Sequence, residues 1–445
     1  MSAILLLPGL ISLILVIRGR LETAFLSIYL PSLLLLPQEY GYRIPHLPPL
    51  SAAEFALIPV GIAAFIRFVQ SGSFRLMDAL VPLLTVSYAI SEILHEPSVN
   101  DGYFRAIDSF VSIALAYAAG RQLIEPQLRL DTVRRIVILF LLLSPICLHQ
   151  WKGRNIYGNI GNRFLKLSML DYTEGTRNGH GKAGGAFINA EIDGIALGMT
   201  FALNAWLVFL NKRKIGGDLG TRFSKLERFH VPALLLLFSL FLTQERAPLM
   251  VIAVVLLIIQ IPKFEKRKLV TGLVAVLLIG GALGAKQHFD KYSYIPGYAY
   301  ATVSEQARST FYRYQMNKVY QAVAEKGGWT GWGSGGVPET GGMKSIDNEF
   351  LCVHLVQGAL GYIIFLLIAA ESVRTAIAGL WTLKTLEDRA FAGSVLAALG
   401  CLWITLYTVF MGEQLPQFAF LLIGWGQSIV RAPERPHFSF RQIFT

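Results

Sequence analysis

Apolar runs separated by short polar breaks set the rhythm of this chain, and they centre near residues 10, 29, 60, 85, 112, 141, 198, 237, 254, 276, 361, 400 and 421. The hydrocarbon core of a bilayer is about 30 Å thick, which a helix crosses in roughly twenty apolar residues. The pattern therefore predicts an all-α polytopic membrane protein with about 12–13 transmembrane helices. Several runs are shorter than the ideal, and Pro31, Pro59, Pro82, Pro145, Pro232 and Pro248 begin or interrupt them, which predicts kinks. The first run, Ala3 to Ile17, has no basic residue ahead of it and no small-residue cleavage site, so it reads as a retained span.

Two polar segments break the rhythm. Residues 151–185 carry glycine, asparagine and charge, and residues 286–350 carry arginines, a glycine cluster and a short acidic motif. The chain thus divides into helices 1–10 within residues 1–285, including the loop 151–185; the loop 286–350; helices 11–13 within 351–430; and a tail, 431–445. Within the second loop, Ser304 to Lys326 is predicted to form an amphipathic helix. Phe311, Val319 and Tyr320 are expected on its buried side, with Arg308, Lys318 and Glu325 elsewhere. Arg308 and Arg313 lie about 140° apart on such a helix, so one site takes one of them, and Arg313 is the choice.

Composition sharpens the class. Apolar residues make up 53% of the chain and charged residues 16%, with a mean hydropathy of +0.50, which no ordinary soluble domain sustains. With the amino terminus external, 24 of the 40 Lys and Arg fall in internal loops, and the short outer loops keep only Arg43, Arg105 and Arg246. That asymmetry orients the chain and turns both long polar segments outward. It also accounts for the net charge of +11 through cytoplasmic loops facing anionic membrane lipids, with no basic–aromatic domain to read nucleic acid. Cys147, Cys352 and Cys401 lie in or beside apolar runs, with neither metal-ligand nor disulfide spacing.

Candidate chemistry gathers near the outer face. Arg246 stands in Thr243-Gln244-Glu245-Arg246-Ala247, Arg313 in Tyr312-Arg313-Tyr314-Gln315, and a turn runs Thr330-Gly331-Trp332-Gly333-Ser334-Gly335. Ser345-Ile346-Asp347-Asn348-Glu349-Phe350-Leu351 precedes Gln357-Gly358-Ala359-Leu360-Gly361-Tyr362, and Phe187-Ile188-Asn189 precedes the seventh span. Each has a plain structural reading. An arginine at a helix end snorkels to headgroups, Arg313 on a loop helix is solvated, and Asp347 with Asn348 caps the next helix. The glycine cluster is by default a turn, His354 is packed within a span, and Trp329 and Trp332 anchor at the interface unless they stack on sugars.

Taken in this order, these motifs resemble the O-antigen ligase and Wzy-type polysaccharide polymerase superfamily over roughly residues 184–362. The resemblance implies a glycosyltransferase of the bacterial inner membrane. It would move glycan from a polyprenyl-pyrophosphate-linked oligosaccharide donor to a sugar hydroxyl of a glycan or lipid-linked acceptor at the outer face. It implies catalytic roles for Asp347, Arg246 and Arg313, and substrate contacts from Asn348, Arg308, Asn189, Gly333 and Trp332. Where ligases of this superfamily are expected to have a histidine, this chain has Asp347, which is similar to the exopolysaccharide polymerase branch; polymerase and ligase both stay open.

Such chemistry asks little of the protein. The arginines grip pyrophosphate with bidentate bonds, and a desolvated Asp347 takes the acceptor proton while Asn348 orients the acceptor. No cofactor is expected and no metal, since Glu191 and Asp193 point about 200° apart on a helix. The alternative is a lipid-linked glycan transporter or flippase without chemistry. It predicts pseudo-symmetric halves and charges buried in mid-span, neither of which the sequence displays.

Overall fold

A computed structural model describes residues 3–44, 46–96, 98–167, 175–177, 179–212, 230–295, 303–340, 343 and 345–429. The predicted tail 431–445 lies outside the described residues, as do residues 213–229. The protein is an all-α polytopic membrane protein. Its helices in chain order are α1 (Ala3–Ile17), α2 (Leu21–Leu35), α3 (Ala52–Gln70) and α4 (Leu76–His95). Helix α5 continues from Val99–Ser109 through a π-helical turn, Phe110–Leu115, into Ala116–Leu123. Then come α6 (Arg129–Trp151), α7 (Ile156–Ile160), α8 (Ala190–Lys212), α9 (Val231–Leu242), α10 (Arg246–Ile258), α11 (Arg267–Tyr292) and α12 (Glu305–Lys326). The last three are α13 (Glu349–Thr382), α14 (Leu386–Thr405) and α15 (Leu415–Ser428).

All thirteen apolar centres fall inside helices, and among the described residues 7 helices are long and apolar enough to cross a membrane. Two antiparallel hairpins of a few residues each, β1 (Gly41–Arg43) with β2 (Pro49–Ser51) and β3 (Thr176–Arg177) with β4 (His180–Gly181), close loops between helices.

Helix α8 is the hub. In its most apolar window 89% of residues are buried, against 6% in α11, so α8 is wrapped by protein while α11 stands at the rim with its apolar side chains outward. The hub packs on α6, α9, α10 and α14. Close packing elsewhere depends on small residues: α15 meets α5 where Gly424 faces the Tyr117 carbonyl and Gly120 faces that of Leu421, each too near to admit a Cβ.

The threading alternates. Loop ends assigned inward meet one another, as where Arg75 donates to the Gln427 carbonyl (2.7 Å) and Arg267 to the carbonyls of Leu380 and Trp381 (3.1 and 3.0 Å). Ends assigned outward do the same: the Tyr40 hydroxyl reaches the Tyr157 carbonyl (2.7 Å), and Gln414 Nε2 reaches those of Leu36 and Ala186 (2.6 and 3.1 Å).

Two expectations for the second polar segment need correction. Helix α11 carries on through Lys286 to Tyr292, because Gln287, His288 and Phe289 continue its hydrogen-bonded turns, so the loop begins later than the fall in hydropathy suggests. In α12, started by the Ser304 hydroxyl accepting from the Ala307 N–H (3.3 Å), Phe311 and Tyr320 are buried but Val319 is exposed. The buried row is Met316, Tyr320 and Ala324, spaced by four, which packs on Met343 and Leu355; Val319 falls beside that row. Arg308, Lys318 and Glu325 are exposed, as expected.

Candidate functional site

The site is built where α8 begins. Asn189 Oδ1 accepts from the N–H groups of Glu191 (2.8 Å) and Ile192 (3.3 Å), a side-chain cap that starts the helix and fixes Glu191 in its first turn. From the facing α12, Arg313 donates through Nη2 to Glu191 Oε1 at 3.1 Å. Arg313 Nε stands 3.9 Å from Asp347 Oδ2, an ion-pair distance too long for a hydrogen bond. One guanidinium thus lies between two carboxylates from segments far apart in sequence.

The loop around Asp347 is tied to α12. The Tyr312 hydroxyl donates to the Ser345 carbonyl (2.7 Å) and accepts from its N–H (3.1 Å), and Ser345 Oγ donates to Asp347 Oδ1 (2.6 Å). Asn348 Oδ1 then accepts from the Leu351 N–H (3.2 Å), beginning α13, while its Nδ2 donates to Asn317 Oδ1 (3.3 Å). Capping of α13 therefore falls to Asn348 alone, and Asp347 keeps its Oδ2 without a hydrogen bond from any described residue. The side chains of Arg313, Glu191 and Asp347 are 29%, 19% and 22% exposed, so the trio is reachable yet partly shielded from water.

A second set of charges adjoins the first. Glu245, in the turn between α9 and α10, pairs with Lys182 (2.7 Å) and more distantly with Arg177 (3.9 Å), and lies within electrostatic reach of Glu191. The β3–β4 hairpin is pinned over this turn: Gln244 Nε2 donates to the Gly181 carbonyl (3.0 Å), and the Arg177 guanidinium donates to the Gln244 carbonyl. Arg246 follows Glu245 as the first residue of α10 and is exposed, with no ion pair to any described residue. The structure therefore brings Arg313, Asp347, Asn348 and Asn189 together, and sets Arg246 beside Glu245 at the same end of the bundle. Arg308 points to solvent on α12 and takes no part in the trio.

Trp332 and Gly333 tie the polar loop to α13 and α12. Helix α13 is broken at Gly358, whose φ of +67° only glycine adopts freely, and the turn 331–336 plugs the break. Trp332 and Gly333 donate backbone N–H bonds to the carbonyls of Leu355 and Val356 (2.9 and 3.1 Å), and Ala359 and Leu360 donate to those of Gly328 and Trp329 (2.9 and 3.2 Å). The Trp332 indole packs with the buried row of α12 and donates to the Val323 carbonyl (3.0 Å). Ser334 fastens the turn to α4 by bonding Glu92 through both its N–H and hydroxyl (2.8 Å each). These residues hold α12 against α13, while Trp329 is the exposed aromatic of the pair.

Glu191 is the functional candidate that motif reading passed over. Its carboxylate and that of Asp193 diverge: Glu191 faces Arg313, and Asp193 faces the Cys147 thiol at 3.7 Å. The signal for its role was its place two residues after a capping asparagine. Among the described residues no group of three or more His, Cys, Asp or Glu could hold a metal ion.

No protein-family model matches the chain, and no curated protein matches it.

Proposed function

We propose that the protein is a membrane glycosyltransferase of cell-surface polysaccharide assembly, located in a bacterial inner membrane and using a polyprenyl-pyrophosphate-linked donor. The observation that carries this reading is the Arg313 guanidinium held between Glu191 and Asp347 at the membrane end of the polar loop. A donor of this kind needs its pyrophosphate gripped, its acceptor oriented and one proton removed. The exposed Arg246 and the partly exposed Arg313 guanidinium supply the grip. Each charged contact at about 4 Å is worth about 4 kcal/mol of attraction at an effective dielectric near 20, before desolvation.

In the step proposed, the acceptor hydroxyl oxygen attacks the anomeric carbon while the bond from that carbon to the pyrophosphate oxygen breaks. The electron pair leaves with the polyprenyl pyrophosphate, and the hydroxyl proton passes to Asp347 Oδ2. Ser345 and Arg313 hold Asp347 in place, and Asn348 offers its amide to the acceptor. The test is transfer by purified, reconstituted protein given only lipid-linked donor and acceptor. Product formed by the parent and lost in Asp347→Asn supports the reading. Translocation of intact donor with no transfer would make the protein a conduit.

A further inference from the structure

The opposite end of the bundle holds a cavity that the transfer reaction does not use. It encloses about 350 Å³ and is lined by Arg75, Leu76, Glu371, Arg374, Thr375, Ala378 and Gln427, at the start of α4, the far part of α13 and the end of α15. At 1.5 Å per residue, Arg374 is roughly 35 Å along α13 from Glu349, so this cavity and the Arg313 trio face opposite membrane surfaces.

Its polar lining is built and not incidental. Gln427 is 1% exposed. Its carbonyl accepts from Arg75 (2.7 Å), its Oε1 lies 3.4 Å from the Thr375 hydroxyl, and its Nε2 has no hydrogen-bond partner among the described residues. Thr375 also reaches Glu371 Oε1 (3.3 Å), which with Oε2 receives Arg374 in a two-pronged pair (2.7 and 2.6 Å). Behind Arg75, a buried Arg121 donates to Asp78 (3.2 Å) and leaves its Nη1 unbonded. Arg75 is within electrostatic reach of Arg121, Asp78 and Glu371. Two guanidinia, Arg75 and Arg374, thus line the cavity beside the buried Gln427 Nε2, which lacks an acceptor among the described residues, and an anion with several oxygens would supply one. The remaining lining, Leu76 and Ala378, is apolar, and Leu76 opens onto the outside of the bundle.

We propose that this cavity binds the phosphate headgroup of an anionic glycerophospholipid, in the leaflet that the basic-residue asymmetry makes cytoplasmic. Arg75 and Arg374 hold the phosphate oxygens, Gln427 Nε2 donates to them, and the acyl chains leave over Leu76 and Ala378. A volume of about 350 Å³ admits a phosphoglycerol group.

The test titrates full-length protein in a neutral detergent with phosphatidylglycerol, phosphatidylcholine or inorganic phosphate, reading bound lipid by native mass spectrometry and the melting temperature. Phosphatidylglycerol should bind and raise the melting temperature, with the other two ineffective. Arg374→Gln, at an exposed position, should weaken phosphatidylglycerol binding about tenfold or more. Glu371→Gln, which frees Arg374 from its competing carboxylate, should tighten it, a gain that a merely structural role for these residues would not produce. Equal binding of both lipids, unchanged binding in Arg374→Gln, or weaker binding in Glu371→Gln overturns the proposal. A shift with inorganic phosphate as large as that with the lipid would assign the cavity to a free anion and overturn its lipid identity.

Discussion

Asp347 and Glu191 share an arginine but hold different surroundings, and their variants should separate. Asp347 does not cap a helix, so Asp347→Asn keeps the Ser345 bond while removing the basic oxygen. Turnover in the reconstituted transfer assay should fall about 10²–10⁴-fold with the melting temperature nearly unchanged, and Asp347→His should retain part of the activity. Full activity of Asp347→Asn would leave the arginines as the catalytic candidates. Glu191→Gln instead keeps a neutral acceptor for Arg313 but frees its charge, so it should lower the apparent KM for the donor if Arg313 grips pyrophosphate; an unchanged KM would speak against that grip. Outside the spans, burial first and then Glu39 push the Glu413 carboxyl up to about 7. A folded-state value above the unfolded value of about 4.3 means that its contribution is fully present below pH 4.3 and is lost as pH rises through 7. Glu413→Gln should therefore match the parent near pH 4 and exceed it above pH 7, by up to about 3 kcal/mol, as followed by denaturation at several pH values.

At the scale of elements, the break in α13 is where loop and membrane are locked together. A Cβ on Gly358 would stand 2.4 Å from the Gly331 N and 2.5 Å from the Trp329 carbonyl carbon, and one on Gly331 would stand 2.3 Å from the Val356 oxygen, all backbone atoms that cannot swing aside. Both positions also have positive φ. Gly358→Ala and Gly331→Ala should each destabilise by at least about 2 kcal/mol and speed protease cleavage within 327–340; a protease-resistant Gly358→Ala would show that the turn re-seats without cost. Much of this was legible beforehand, because helices follow from apolar period and length, and Asn189 and Asn348 sit where capping residues must. Placement of the turn was not. Local sequence does not show that Trp332 covers α12 or that Gly333 bonds the broken α13. Nor could hydropathy end α11 correctly, since Lys286 to Tyr292 hold no proline or glycine to stop the helix where the apolar character is gone.

For the whole molecule, the order of helices follows from the sequence, whereas the meeting of Glu191 with Arg313, 122 positions apart, required the packed structure. Alternate threading puts residues 303–340 on the same side as Glu39, Tyr157 and Glu245, and the basic-residue asymmetry predicts that this side is extracytoplasmic. Glu339 is exposed in this loop. Cys147 and Cys401 are buried, and Cys352 is partly so and can be replaced by serine. Glu339→Cys in a Cys352→Ser background should thus be the site labelled by a membrane-impermeant maleimide in intact spheroplasts, while a cysteine introduced at the exposed Lys384, in the opposite set of loops, should be labelled only after lysis. The reverse pattern would invert the protein, put the Arg313 trio in the cytoplasm, away from any outer-leaflet donor, and move the Arg75–Arg374 cavity to the outer leaflet.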